Sequence, residues 1–347
     1  MSATPIRFAI VGTGSIARRH AQAIAAVPDA KLVAVWGRDE GRGRDFAAEH
    51  GADFVDCLET LAARDDVQAA TIATPSGSHS QSCAPFLRAG KAVLCEKPID
   101  VTLEKIDTLL ALAQTHRAPL AAVLQLRFGA AAQALKKAVE QGRFGKLTLC
   151  SAYVKWWRGQ EYYDSVAWRG TREFDGGGAL MNQGIHAVDL LQWLVGMPSE
   201  VFAFAGRLAH KRIEVEDTIA VCLRFPHGAI GTIEATTASN PGSAMRIEIC
   251  GDRGSAVWED DLLTSWKFDR ESPEDDALRS AQSSGIIGGK SDPAAIGIEG
   301  HRLLVADLVA AIREHRPPLI PANEARNAVR LILAAYDSAS TGHPVSI

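Results

Sequence analysis

From Arg7 to about Leu124, short apolar runs alternate with segments whose apolar residues recur every three or four positions. That is the pattern of βαβ units building a parallel sheet. Phe8–Val11, Leu32–Trp36, Phe54–Val55, Ala69–Ala73, Ala92–Cys95 and Leu120–Leu124 read as strands. The spacing between them predicts helices over Ile16–Val27, Asp39–His50, Ser80–Ala89 and Leu103–His116, with Gly51 and Gly90 placed to close the second and third. The first half is therefore an α/β, doubly wound sheet.

After a connecting helix near Ala131–Gln141 the alternation lengthens. Leu147–Trp157, Val201–Leu208, Asp217–Phe225, Ala229–Thr237, Arg246–Cys250 and Ser255–Trp258 read as strands of an antiparallel sheet, with turns at Pro226-His227-Gly228 and Asp252-Arg253-Gly254. A helix over Ala179–Val195 interrupts them, and helices over Arg302–His315 and Asn323–Ser340 close the chain. The polar stretch Arg270–Gly297 predicts a long loop. Two domains follow: 1–125, and 126–347 as an α+β domain with an open, mostly antiparallel sheet, its last helices able to pack back on the first domain.

Composition narrows the class. A length of 347 residues with 47% apolar and 22% charged residues exceeds what one hydrophobic core usually organises. Net charge is -4 with both signs intermixed, leaving no basic stripe to attract nucleic acid or anionic lipid. The first residues read as the start of a strand, so no export leader is expected, and with no apolar run near the ~18 residues of a membrane span a cytoplasmic location is expected. The six cysteines are scattered without a CxxC pair and read as buried, reduced thiols; with no HExxH run either, no metal is assigned.

Gly12-x-Gly14-x-x-Ala17 stands directly after the first strand and opens a helix. Gly12 permits the tight turn, Gly14 lets backbone approach a pyrophosphate, and Ala17 lets helix and strand pack closely. The amides from Ser15 and Ile16 onward then face phosphate charge. This Rossmann signature calls for NAD(P). The second strand ends Val35-Trp36-Gly37-Arg38, where such folds usually carry a ribose-binding acid. Two readings stand: Gly37 makes room and Arg38 pairs with a 2′-phosphate, or Arg38 stacks on adenine and Asp39 caps a helix or binds ribose. The charge favours NADP over NAD.

Two segments carry the chemistry. Ala73-Thr74-Pro75-Ser76-Gly77-Ser78-His79 and Glu96-Lys97-Pro98 follow strands whose carboxyl ends face the ligand crevice, which adds Thr74, Pro75, Ser76, His79, Glu96 and Lys97 to the cofactor set. Lys97-Pro98 is a candidate cis peptide. Downstream, Gly176-Gly177-Gly178 leads into a helix on which Asn182 and His186, four apart, share a face.

Together these motifs resemble the Gfo/Idh/MocA oxidoreductases, the family of glucose-fructose oxidoreductase and inositol 2-dehydrogenase. The resemblance runs from Gly12–Ala17 through Glu96-Lys97-Pro98 and Gly176–Asp189 to Ser338-Ala339-Ser340-Thr341-Gly342. It implies that Lys97 sits beside the carbon exchanging hydride with nicotinamide C4, that His186 moves the hydroxyl proton, and that the second domain's sheet makes a homo-oligomer, a dimer or tetramer. Many members have aspartate at the position of Asn182; an amide orients but accepts no proton, leaving proton transfer to His186 and Lys97. Ser76 stands where asparagine is frequent. Gln125, Trp168 and Arg169 complete the expected cofactor set.

Lys155-Trp156-Trp157-Arg158 with Tyr162-Tyr163 and Trp168-Arg169 combines flat apolar rings with charged donors, as suits a sugar. Strand alternation puts Lys155 and Trp157 on one face and Trp156 and Arg158 on the other. The expected substrate set is Lys97, Arg127, Lys155, Trp157, Tyr163, Asn182 and His186. This block looks like a branch containing nucleotide-linked amino-sugar uronate 3-dehydrogenases, so the expected reaction is redox at a secondary carbon of a sugar or cyclic polyol. An NAD-dependent glycoside hydrolase of the same fold and a non-catalytic nucleotide-sensing regulator are the alternatives.

Overall fold

A computed structural model describes residues 4–280 and 297–347. It divides into two compact units, residues 1–125 with 298–326, and residues 126–297 with 327–347. The segment 298–326 thus joins the first unit instead of continuing the second.

In the first unit β1 (Ile6–Val11), β2 (Ala30–Trp36), β3 (Asp53–Phe54), β4 (Ala69–Ile72), β5 (Ala92–Cys95) and β6 (Leu120–Ala122) form a sheet in the order β3-β2-β1-β4-β5-β6. Every pairing is parallel. β4 and β5 are buried throughout and β1 at all but one position, which is why they read as unbroken apolar runs. The crossovers are α1 (Ser15–Ala25), α2 (Glu40–Glu49), α3 (Leu58–Ala63), α4 (His79–Arg88) and α5 (Leu103–Thr115). Asp39 caps α2 by accepting from the Arg42 amide, and Thr102 caps α5 through the Lys105 amide. The strand order reverses between β1 and β4, so the ligand crevice of such a sheet opens there.

The second unit begins with α6 (Ala130–Glu140), β7 (Leu147–Lys155) and α7 (Gln160–Asp164). A π-helical turn, Ala179–Gly184, leads into α8 (Ile185–Val195). Then come β8 (Glu200–Gly206), β9 (Thr218–Arg224), β10 (Ile230–Thr236), β11 (Arg246–Gly251), β12 (Gly254–Glu259), β13 (Leu262–Phe268), α9 (Asp275–Ser280) and, near the end of the chain, β14 (Val345–Ser346). The sheet order is β13-β12-β11-β7-β10-β9-β8-β14, antiparallel except where β10 runs parallel to β7. α8 packs on the face of β7 that carries the buried Cys150, Ala152 and Val154. The outer face leaves Leu149, Phe204 and Ile230 exposed.

α10 (Glu299–Glu314) packs against α1 and β5 of the first unit, and α11 (Ala322–Thr341) is the last helix. The expected loop over Arg270–Gly297 is corrected by α9, which Asp275 anchors by accepting from Arg143 and from the Trp266 indole at 2.7 Å. Residues 281–296 of that expectation lie outside the described residues. The cysteines are all free, but only Cys83, Cys95 and Cys150 are buried; Cys57 and Cys222 are exposed, against the expectation of six buried thiols. No described helix is long and apolar enough to cross a membrane.

Arg127, a member of the expected substrate set, locks α8 to the start of this unit. It is 3% exposed, and its Nε and Nη2 donate to the two carboxylate oxygens of Asp189 at 2.9 and 2.7 Å. Removing one member of such a buried pair strands the other charge. Arg127→Leu is expected to cost about 3–5 kcal/mol of stability in urea unfolding; a loss below about 1 kcal/mol, the level of a surface pair, contradicts the assignment.

Candidate active site

The cofactor end is built from the tips of β1 and β4. Gly12 leaves β1 at φ +115°, and a Cβ there would lie 2.5 Å from the Ala73 carbonyl oxygen, so the turn requires glycine. Gly14 shows the opposite condition. It is exposed, nothing lies within 4 Å of a Cβ placed on it, and no side chain caps the first amides of α1. An open cradle at an uncapped helix N-terminus fits a pyrophosphate. Ser15 and Ile16 open that helix and Ala17 is buried beneath it.

Gly37 is explained differently from the expectation of empty room: a Cβ there would meet the Thr13 methyl at 2.7 Å, so Thr13 occupies the space. Arg38 is exposed and has no ionic partner among the described residues, whereas Asp39 is committed to capping α2 and pairing with Arg42.

At the ends of β4 and β5 the same unit gathers Thr74, Pro75, Ser76, His79, Glu96 and Lys97. Thr74 Oγ1 lies 3.2 Å from Ser82 Oγ, and Pro75 precedes a short turn, Ser76–Ser78. His79 is 1% exposed, and its Nδ1 and Nε2 lie 2.7 and 2.9 Å from the carbonyl oxygens of Pro98 and Thr74. His79 therefore braces the loop after β4 against the loop after β5. Glu96 is also buried, bonded to His20 and His301. The Lys97–Pro98 peptide is cis. Gln125 begins the turn after β6, 7% exposed, with its Oε1 unpartnered among the described residues.

In the second unit the glycine run presses backbone against backbone. A Cβ on Gly178 would lie 1.7 Å from the Glu216 carbonyl oxygen. The Glu216 side chain accepts from the amides of Gly178 and Leu180, both at 2.9 Å, and from the Tyr336 hydroxyl at 2.8 Å, while Tyr336 accepts from the Met181 amide. A carboxylate thus satisfies the helix start where no capping side chain precedes it. Burial pushes Glu216 above its ordinary range against those donors, and burial beside Glu216 pushes the Tyr336 hydroxyl well up.

From residue 177 to 192 every residue is buried except Asn182 and His186. The π turn and α8 therefore present these two together on the one open face, as the spacing predicts. Asn182 donates through Nδ2 to Asp175, whose other carboxylate oxygen accepts from the Gly170 amide at 2.8 Å. Asp175 is 1% exposed and escaped the sequence reading. An acid directly before Gly176-Gly177-Gly178, seven positions from the unusual Asn182, was the available signal.

Lys155 is exposed, at the end of β7, and its Nζ donates to Glu234 at 2.7 Å, while Trp157 is half-buried and bridges to Ala238. Arg158 points inward, 3% exposed, over the Trp156 and Tyr162 rings, and donates to Gln183 Oε1 at 2.9 Å. Tyr163 is core: its hydroxyl meets Thr237 Oγ1 at 2.8 Å, and burial raises it to a value above the ordinary phenol. Arg169 lies 4.2 Å over the Tyr162 ring, next to Trp168, and donates to the Tyr162 carbonyl. Arg158, Tyr162, Arg169 and Gln183 thus form one cation–aromatic cluster, in which Gln183 is the member that the sequence pattern did not single out.

Comparison with known proteins matches both parts of the chain to one family. Residues 6–123 match the oxidoreductase family with NAD-binding Rossmann fold, and residues 132–257 match the GFO/IDH/MocA C-terminal domain. Inositol 2-dehydrogenase of Rhizobium meliloti is 30% identical over 73% of this chain and 76% of its own. The chain belongs to the Gfo/Idh/MocA family. The WlbA dehydrogenase of Bordetella pertussis, solved with NADH and UDP-GlcNAcA, superposes with a TM-score of 0.88 at 34% identity over 99% of both chains. WlbA of Chromobacterium violaceum, solved with the same two ligands, gives 0.89 at 32% identity over 100% of this chain and 97% of its own. This Gfo/Idh/MocA member is an NAD-binding oxidoreductase of the sugar and polyol dehydrogenase type.

The cradle at Gly14 yields a direct test. Because its surroundings are open, Gly14→Val should leave the melting temperature within about 4 °C of wild type, the equivalent of less than about 1 kcal/mol. NADH affinity, read by fluorescence titration, should fall tenfold or more, about 1.4 kcal/mol. Unchanged affinity contradicts the placement of the pyrophosphate.

Proposed function

We propose that this chain oxidises a secondary ring hydroxyl, the 3-hydroxyl, of a UDP-linked N-acetylamino sugar acid of the UDP-GlcNAcA class, with Lys97 and His186 handling the proton. The observation that carries the reading lies in the first unit. Lys97 stands two residues beyond the end of β5, on the same edge of the parallel sheet as the open Gly14 turn after β1. That edge is the one at which the dinucleotide fold brings its reactive ring, which supports Lys97 as the proton-handling lysine.

When bound, the cofactor supplies the hydride acceptor. The Lys97 ammonium stabilises oxygen charge as the hydroxyl ionises, and His186 takes the hydroxyl proton. Asn182, its amide nitrogen bonded to Asp175, orients and does not accept a proton. Arg158 and Arg169, stacked on Tyr162, offer planar donors suited to carboxylate or diphosphate oxygens. Whole-length similarity to two dehydrogenases solved with UDP-GlcNAcA supports that substrate class. The exposed apolar residues Leu149, Phe204 and Ile230 on the outer sheet face support a homo-oligomer through that face.

The neighbours hold NADH; in this chain the exposed guanidinium of Arg38, of a shape and charge suited to a 2′-phosphate, leads us to read the preference as NADP. The test is a panel of UDP-GlcNAcA, UDP-GlcNAc, free sugars and inositols, each assayed with NAD and with NADP. UDP-GlcNAcA should give the highest kcat/KM, and Arg38→Asp should move the cofactor ratio toward NAD by about tenfold or more, the weight of one charged contact. Turnover of inositol alone overturns the substrate class, and an unmoved ratio overturns the role of Arg38.

A further inference from the structure

Glu96 is a buried carboxylate immediately before Lys97, and its contacts come from distant parts of the first unit. Its Oε1 accepts from His20 Nε2 at 2.9 Å and from His301 Nε2 at 3.1 Å, while Oε2 accepts from the Lys97 amide at 3.2 Å. His20 belongs to α1, the helix that opens at Gly14; His301 belongs to α10. Burial alone would raise Glu96, but the two imidazoles outweigh it and hold the carboxyl well below its usual range, whereas burial lowers His20. Glu96 is therefore held as an anion by the two ring N–H groups.

The three groups lie within 4.8 Å of one another, near enough for a metal ion. The chemistry of the far ring edges argues otherwise. A ligating imidazole donates its other N–H to a carboxylate, carbonyl or water. Here Nδ1 of both His20 and His301 is buried with no hydrogen-bond partner among the described residues. That arrangement suits Nε2–H tautomers, which leave only a lone pair at Nδ1 and commit both hydrogens to Glu96.

We propose that His20 and His301 are positioning residues for Lys97: through the Glu96 carboxylate they fix the lysine's backbone amide and so aim its side chain. The proposal rests on the reading of Lys97 as the proton-handling lysine. The grip is charge-assisted and lies in a low-dielectric interior. Deleting one imidazole leaves Glu96 under-satisfied and favours its protonation, and a neutral carboxyl binds an amide N–H more weakly.

The experiment reads Lys97 itself and needs no substrate, so a failed dehydrogenase assay leaves it interpretable. NADH-saturated full-length protein is pulse-labelled with acetic anhydride across a pH series, and the Lys97 peptide is quantified by mass spectrometry. His301→Leu should change the Lys97 labelling rate at neutral pH by about threefold or more, the equivalent of half a pKa unit. His301→Gln, which restores an N–H donor, should return it to within about 1.5-fold of wild type, a change of about 0.2 pKa units. Glu96→Gln, nearly isosteric, should behave like the leucine variant, which keeps the test decisive if His301→Leu fails to fold. A Lys97 rate unmoved in both the His301→Leu and the Glu96→Gln proteins overturns the proposal, as does a glutamine variant as altered as the leucine variant. Stoichiometric zinc in the purified protein also overturns it.

Discussion

The constraint on which the first unit depends is the contact of the Gly12 backbone with the Ala73 carbonyl, where β1 and β4 lie side by side. No side chain fits between them, since a Cβ at Gly12 would stand 2.5 Å from that oxygen. Parallel pairing of β1 with β4 then brings the loops after β1, β4 and β5 to one edge. The uncapped start of α1, the Thr74–His79 loop and Lys97 share that edge because the strands ending there are buried and their register is set by packing. Phosphate-ready amides and a cationic side chain thus follow from one steric fact about strand spacing.

The second unit solves a different problem, that of starting a helix within a buried glycine run. Carboxylates do most of the holding. Glu216 satisfies the amides at the helix start, Asp175 holds Asn182, and Asp189 ties α8 to Arg127. Each carboxylate accepts more than one donor, as a buried charge requires. The result leaves Asn182 and His186 alone unburied from residue 177 to 192, and so the open face of that helix is defined by what everything else is bonded to.

Much of this was legible in the sequence, for identifiable reasons. The central strands are continuous apolar runs, and helices such as α1 and α5 carry strong periodicity or a cap at Thr102. The helix of Asn182 and His186 was announced by its glycines. Short or half-buried elements gave weaker signals: α3 has six residues, β13 buries only Trp266, and α9 depends on Asp275 meeting Arg143 from 132 positions away. Alternation correctly separated Lys155 from Arg158 but could not say which face meets α8, because a period of two carries no sign. The Glu96 grip was invisible for a similar reason, since His20 and His301 stand 76 and 205 positions from it and each reads locally as an ordinary helical histidine.

The central claim is that a ring C–H bond of the sugar loses its hydrogen to the nicotinamide. The most direct measurement uses UDP-GlcNAcA deuterated at ring carbon 3, with the cofactor and the sugar product both analysed by mass spectrometry and NMR. The account predicts deuterium on nicotinamide C4, one for each oxidised sugar formed. Deuterium retained on a product released without net accumulation of reduced cofactor, or lost to solvent, would contradict it.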